Sequence, residues 1–337
     1  MARSGYDDER QRDIEEGVIG LLHQLAELRR GDTRSPSEIS RHIDTLLLKG
    51  RGELPTPDLR RILEILYRNP GRGDGASLLV ERRGDQPDRV ISLKGISFGA
   101  GSRSLIAGPC AVEHVEDLRL VAKSLVQLGG GLLRGGAYKP RSSPYTFQGL
   151  GEAGLEMLRG VGEEFGLAVV TEVVDTRDVE KVARSVDVLQ IGTRNMFNYE
   201  LLKECGRAGK VVLLKRGFMA TIEEWLYAAE YLAAEGCLDI ILCERGIRTF
   251  ERATRNTLDL AAVSLVKRRS FLPVIVDLSH ATGRRDLYTP LGRASLAAGA
   301  DGIMLEVHPD PDRALSDHAQ QLALKDLPHF HEQVLRR

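Results

Sequence analysis

Val211-Val212-Leu213-Leu214-Lys215-Arg216 is a short apolar run that ends on two cations. Ile222–Ala234 follows with its apolar residues at helical spacing, and Ile240-Ile241-Leu242-Cys243-Glu244-Arg245 then repeats the first pattern. Near-continuous apolar strands bury both faces, and a helical crossover returns the chain so that the next strand runs the same way. The unit therefore predicts a parallel sheet. Working outward, the same kind of run recurs at Leu105–Ala107, Leu132-Leu133, Leu167–Val170, Val188–Ile191, Val274–Val276 and Gly302–Leu305. Amphipathic stretches such as Glu116–Leu128 and Asp286–Ala298 lie between them. Eight such repeats from residue 104 onward predict an α/β fold, a closed (β/α)8 TIM barrel. A doubly wound open sheet is the alternative, but no GxGxxG follows the first run.

In such a barrel the chemistry gathers where the strands end. Here the runs end in Gly108-Pro109-Cys110, Arg134, Thr171-Glu172, Gly192-Thr193-Arg194, Lys215-Arg216, Cys243-Glu244-Arg245, Asp277 through His280, and Glu306-Val307-His308. After the second run comes Gly135-Gly136-Ala137-Tyr138-Lys139-Pro140-Arg141-Ser142-Ser143-Pro144, a glycine-rich loop whose cations and hydroxyls suit phosphate oxygens. Arg134, Lys139, Arg141, Arg194, Lys215 and Arg245 would then share one mouth, and their mutual repulsion is tolerable only with anions bound. Arg216 is the cation expected to pair with a barrel carboxylate instead. Cys110, His280, Glu306 and Asp317 offer a thiolate, an imidazole and two carboxylates, a mixture suited to a borderline divalent transition ion and too soft for Mg²⁺ or Ca²⁺. His308, two residues past Glu306, is expected on the same side of its strand, as a competing ligand or an orienting group.

The 337 residues carry 47 basic and 48 acidic side chains, a net charge of −1 that gives no support to a nucleic-acid or anionic-membrane partner. No apolar run approaches the roughly 20 residues of a membrane span, and the polar N-terminus lacks a signal-peptide pattern. Four cysteines without a CxxC make no disulfide scaffold, so a reduced, cytoplasmic setting is expected. Residues 1–75 read as a small helical module. Ile14, Val18, Leu21, Leu22 and Leu25 mark a first helix, and Ser35-Pro36-Ser37-Glu38 and Thr56-Pro57-Asp58 start two more. Residues 76–103 read as a linker and a hairpin that pairs Ser77–Glu81 with Arg89–Leu93, ahead of the barrel at 104–337.

Residues 104–325 closely resemble the 3-deoxy-D-arabino-heptulosonate 7-phosphate (DAHP) synthases. The match runs in order through Ala107-Gly108-Pro109-Cys110, the loop from Gly135 to Pro144, Gln190–Asn195, Leu214–Gly217, Cys243–Gly246, Ser279–Arg285, Glu306–Pro311 and Leu315-Ser316-Asp317. The resemblance implies condensation of phosphoenolpyruvate with erythrose 4-phosphate at the entry to the shikimate pathway. It implies that Cys110, His280, Glu306 and Asp317 ligate the metal, with Mn²⁺ favoured over Fe²⁺, Co²⁺ or Zn²⁺. By the same resemblance Arg134, Lys139, Arg194, Lys215 and Arg245 hold phosphoenolpyruvate, while Arg141 and Ser142 receive the aldose phosphate. Lys139, together with Cys110 and His280, is placed in the catalytic machinery, with Lys139 the candidate proton donor.

The neighbouring 3-deoxy-D-manno-octulosonate 8-phosphate synthases typically read KANRSS where this chain reads Lys139-Pro140-Arg141-Ser142-Ser143, which favours the shorter aldose. A non-catalytic anion-binding regulator would be expected to have lost ligands, and all four remain. The N-terminal module weakly resembles a chorismate mutase, with Arg12 and Arg29 where that family holds substrate carboxylates. The break at Gly31–Pro36 and the lack of a lysine before Lys49 favour a sensing or oligomerising remnant over an active mutase. Feedback by chorismate or prephenate and a homodimer or homotetramer are the corresponding expectations. Association with a separate chorismate mutase is also allowed for.

Overall fold

The computed structural model describes residues 78–139, 143 and 145–336. The expected N-terminal helices, and the assignments to Arg12, Arg29, Arg141 and Ser142, lie outside the described residues. Eight parallel strands form the frame: β3 (Ser104–Gly108), β4 (Leu132–Arg134), β5 (Ala168–Val173), β6 (Val188–Ile191), β7 (Val211–Lys215), β8 (Ile240–Glu244), β9 (Val274–Asp277) and β10 (Gly302–His308). Each pairs with the next, and β10 pairs with both β9 and β3, so the sheet closes on itself as the alternating runs predict. A short strand, β11 (Leu322–Ala323), adds to the far end of β10. Ahead of the ring stands an antiparallel hairpin, β1 (Ile91–Leu93) with β2 (Ile96–Phe98).

The longer crossover helices are α1 (Val115–Gln127), α2 (Glu152–Phe165), α3 (Val179–Ser185), α4 (Tyr199–Arg207), α5 (Ile222–Ala234), α6 (Leu260–Arg269), α7 (Leu278–Thr282), α8 (Tyr288–Ala297) and the terminal α9 (Leu327–Val334). Helix α5 has the bounds that the sequence predicts. Its Thr221 and Glu224 form a reciprocal capping box, which fixes the first turn, and Trp225 is buried with its indole N–H donated to the Leu214 carbonyl at 3.3 Å. Among the described residues no helix is long and apolar enough to cross a membrane.

Strand alternation divides the apolar side chains into two cores. Leu105 and Ala107 face the helices, whereas Ile106 faces inward with Leu132, Val170, Val188, Leu213, Ile241, Ile275 and Met304. The inward set fills the barrel and continues into Ile91 and Phe98 of the hairpin, which closes the N-terminal end.

The hairpin corrects one expectation. Arg89–Leu93 supplies an arm, but its partner lies downstream, not at Ser77–Glu81, where Glu81 forms an isolated antiparallel bridge with Ser270. Lys94 and Gly95 both adopt positive φ, at 43° and 86°, as a two-residue hairpin turn requires. So tight a turn closes with less entropy loss than the longer route back to Glu81.

Candidate active site

Inward-facing positions turn from apolar to charged at the C-terminal ends of the strands. Leu132 is followed two residues on by Arg134, Leu213 by Lys215, and Met304 by Glu306. Arg134, Lys139, Arg194, Lys215 and Arg245 all line one cavity of about 310 Å³, with Glu172, Arg255, His280 and Asp317. The five cations that the sequence assigns to the enol phosphate are thus brought together.

Their partners differ. Lys215 pairs with Asp277 at 2.5 Å, and Arg134 lies 3.3 Å from Glu306 while its Nε and Nη1 find no hydrogen bond among the described residues. Arg245 is buried and, among the described residues, donates only to the Gly246 carbonyl and leaves its Nε without a partner; burial pulls its pKa down to about 10. Buried donors left unmet cost free energy unless a ligand accepts from them. Arg216, one residue after Lys215, points the other way and meets Glu244 at 2.8 Å and Asp259 at 2.9 Å, as expected of it. Phe218 lies beneath three guanidinium groups, with Arg248, Arg245 and Arg194 at 4.3, 5.0 and 5.5 Å from its ring centre. Such stacking fixes the plane in which a guanidinium presents its donors.

Lys139 connects this pocket to Cys110. Its Nζ donates to the Cys110 carbonyl at 3.0 Å and lies 3.1 Å from the Cys110 Sγ. A Cβ on Gly136 would stand 2.7 Å from the Lys139 side chain and 2.8 Å from that carbonyl, so only glycine allows the lysine to fold back. Gly192 leaves room for the Glu172 carboxylate, which an added Cβ at 1.9 Å would push aside.

The donor atoms of Cys110, Glu306 and Asp317 lie within 4.8 Å of one another, brought together from the ends of β3 and β10 and the loop beyond. His280, in α7, turns Nδ1 to Asp277 at 2.7 Å and so directs Nε2 toward Glu306 at 3.4 Å and Asp317 at 4.0 Å. A carboxylate behind one ring nitrogen, with the other aimed at acidic oxygens, is how metal-binding histidines are oriented. Burial lowers the His280 pKa to about 4, which keeps the imidazole neutral and able to ligate. Burial and Glu306 push the Cys110 thiol up to about 12, a cost that a bound cation removes. Glu306 is wholly buried, and its Oε1, which faces Arg134 at 3.3 Å, accepts no hydrogen bond among the described residues. A buried carboxylate oxygen of this kind beside a thiol, a second carboxylate and a neutral imidazole fits a borderline divalent cation.

His308 does not join this group. Its Nδ1 accepts the Asp310 backbone N–H at 3.1 Å, and its Nε2 faces Asp117 of α1 at 3.7 Å. Strand parity alone misleads here, because β10 is leaving the barrel to pair with β11 at this residue. Asp317 precedes the short 3-10 turn at His318–Gln320 at φ 48° without capping it through its side chain, and Arg255 at 3.2 Å outweighs the effect of burial and holds its carboxyl down to about 2. Sequence reasoning missed Phe218 and Arg255. Gly217-Phe218 directly follows the Lys215-Arg216 pair and could have been suspected; Arg255 offered no such signal.

The profile of the DAHP synthetase I family matches residues 86–336. A phospho-2-dehydro-3-deoxyheptonate aldolase of Thermotoga maritima is 56% identical over 244 residues, covering 72% of each chain. A 2-dehydro-3-deoxyphosphooctonate aldolase of Syntrophotalea carbinolica is 34% identical over 257 residues, 71% of this chain and 91% of its own. A truncated 3-deoxy-D-arabino-heptulosonate 7-phosphate synthase from Thermotoga maritima superposes with a TM-score of 0.70 at 52% identity, over 75% of this chain and 92% of its own. A further structure of the synthase from that organism gives 0.73 at 43% identity, over 88% and 92%.

Proposed function

The chain belongs to the DAHP synthetase I family, and from that premise we infer how its barrel mouth carries out the family's reaction. The activity is that of a DAHP synthase, the first step of the shikimate pathway. Phosphoenolpyruvate and erythrose 4-phosphate are the substrates that this activity implies, and water enters as the third reactant.

Arg134, Arg194, Lys215 and Arg245 hold the carboxylate and phosphate of phosphoenolpyruvate, which gives the unmet donors of Arg134 and Arg245 acceptors. Phe218 keeps Arg194 and Arg245 in plane for that contact. Arg141 and Ser142 take the aldose phosphate. Cys110, His280, Glu306 and Asp317 hold a divalent transition cation, Mn²⁺ favoured, which when bound supplies Lewis acidity toward the aldose carbonyl. C3 of phosphoenolpyruvate attacks the aldose carbonyl carbon, and Lys139 donates a proton to the oxygen that becomes the new hydroxyl. Water adds at C2, where positive charge has developed; the C2–O bond to phosphate then breaks as C2 becomes the carbonyl, and of the two water protons one returns to Lys139 and the other leaves on phosphate. The cationic ring stabilises the leaving phosphate.

The observation that carries this reading is the position of Lys139, 3.1 Å from the Cys110 sulfur and on the wall of the cationic cavity. Its test is phosphate release from phosphoenolpyruvate with erythrose 4-phosphate, before and after EDTA. Release that EDTA abolishes and Mn²⁺ restores is expected; faster turnover with arabinose 5-phosphate would overturn the choice of aldose. Lys139→Met should lower kcat by about 10²-fold or more with a smaller change in KM. Near-normal kcat would remove Lys139 from the proton transfer.

For residues 1–75 we propose feedback by chorismate or prephenate through Arg12 and Arg29. Removing that segment should abolish inhibition and spare synthesis. Inhibition that survives the deletion would overturn the assignment.

A further inference from the structure

Two consecutive glutamines beyond Asp317 engage three of the four residues of the ligand group, and nothing above gives them a task. Gln320 is buried, and its side-chain N–H₂ donates to Glu306 Oε2 at 2.5 Å and to Asp317 Oδ2 at 3.4 Å. Its Oε1 accepts from Arg255 Nη1, and the same guanidinium nitrogen pairs with Asp317 at 3.2 Å. This network also fixes which end of the amide is which, since only the nitrogen can face two carboxylates and only the oxygen can face an arginine. Gln321 is wholly buried; its Oε1 accepts the Cys110 backbone N–H at 3.1 Å, and its Nε2 donates to the Ser316 carbonyl at 2.9 Å.

The backbone beneath them is itself tied down. The Gln320 carbonyl accepts from the buried Tyr288 hydroxyl of α8, and the Gln320 N–H donates to the Asp317 carbonyl at 3.1 Å. Asp317 sits at φ 48°, a conformation that a residue other than glycine keeps only when its surroundings enforce it.

We propose that Gln320 and Gln321 are positioning residues for the divalent-cation group: one amide spaces Glu306 and Asp317, and the next anchors the loop that carries Cys110. The carboxylates of Glu306 and Asp317 repel one another when no cation lies between them. An N–H₂ donated between the carboxylates holds them at one separation and engages Glu306 through Oε2, so that Oε1 still faces His280 and the Arg134 guanidinium. Asp277 does the corresponding work for His280, so each of the four ligands has a partner behind it. A neutral amide suits this place better than a lysine, because it satisfies the oxygens without competing as a cation. The proposal rests on the metal reading of Cys110, His280, Glu306 and Asp317.

The test is Mn²⁺ binding to the metal-free full-length chain, measured by the loss of the free-ion electron paramagnetic resonance signal, with the melting temperature of the metal-free protein recorded alongside. Gln320→Met keeps the length and removes both donors, and should weaken Mn²⁺ binding about 10- to 100-fold. Gln321→Met should weaken the Cys110 thiolate-to-cobalt charge-transfer band when Co²⁺ replaces Mn²⁺. A role confined to packing would move the melting temperature and leave the Kd of the folded fraction alone. A Gln320→Met Kd within about twofold of the parent overturns the proposal while the metal reading stands. A parent chain that takes up no Mn²⁺ overturns both. Should Gln320→Met fail to fold, Gln320→Asn, which withdraws the amide by one methylene, is read against the same limits.

Discussion

The two ends of the barrel are built from the same inward-facing rows and behave in opposite ways. At the N-terminal end the rows are apolar, and Ile91 and Phe98 of the hairpin extend them into a closed core. At the other end, two residues further along, they become Arg134, Lys215 and Glu306, wrapped in hydrogen-bond donors and acceptors that are not all met. Burial stabilises the first end outright. At the second, each buried charge costs folding free energy that only a ligand or an opposite charge offsets. One end makes the barrel stable, and the other makes it useful.

Changes at the two ends should therefore separate activity from stability. The largest effect is expected at Cys110. Cys110→Ala removes the thiol from the ligand group and should lower kcat by more than about 10³-fold, with the fold retained by circular dichroism. Activity within tenfold of the parent would show that the group does not serve the reaction. At the closed end, Phe98→Ala should cost about 3–5 kcal/mol in urea unfolding and leave kcat per folded molecule unchanged. A loss of kcat there would mean that the two ends are coupled.

Arg245→Met offers a finer contrast. Removing a buried cation that has no carboxylate partner among the described residues should raise KM for phosphoenolpyruvate about 10²-fold, and the melting temperature should hold or rise. A fall of more than about 3 °C would show that the guanidinium stabilises the empty barrel after all. The smallest effect is expected from Phe218→Leu. Loss of the ring under three arginines, worth about 1 kcal/mol, should raise the same KM several-fold and spare kcat.

Particular elements show how far the sequence could be read. The eight apolar runs are legible because a parallel strand buried on both faces leaves an unbroken signature, and α5 is legible to the residue because Thr221 and Glu224 cap it locally. The hairpin was half legible. Arg89–Leu93 has strand character wherever it pairs, but the choice of β2 over Ser77–Glu81 depended on the φ values that Lys94 and Gly95 adopt. His308 shows the limit of parity, which holds only while a strand stays in the barrel.

The sequence by itself determined the fold, the order of strand endings and the types of side chain at the mouth, since each follows from spacing along the chain. It also distinguished Arg216 from Lys215, because neighbours on a strand face opposite ways. Only the tertiary structure decided which charges go unmet, that Phe218 underlies Arg194, Arg245 and Arg248, and that Gln320 and Gln321 reach Glu306, Asp317 and Cys110. Glutamine carries no periodic or charge signal, and Gln321 meets Cys110 across 211 positions of the chain.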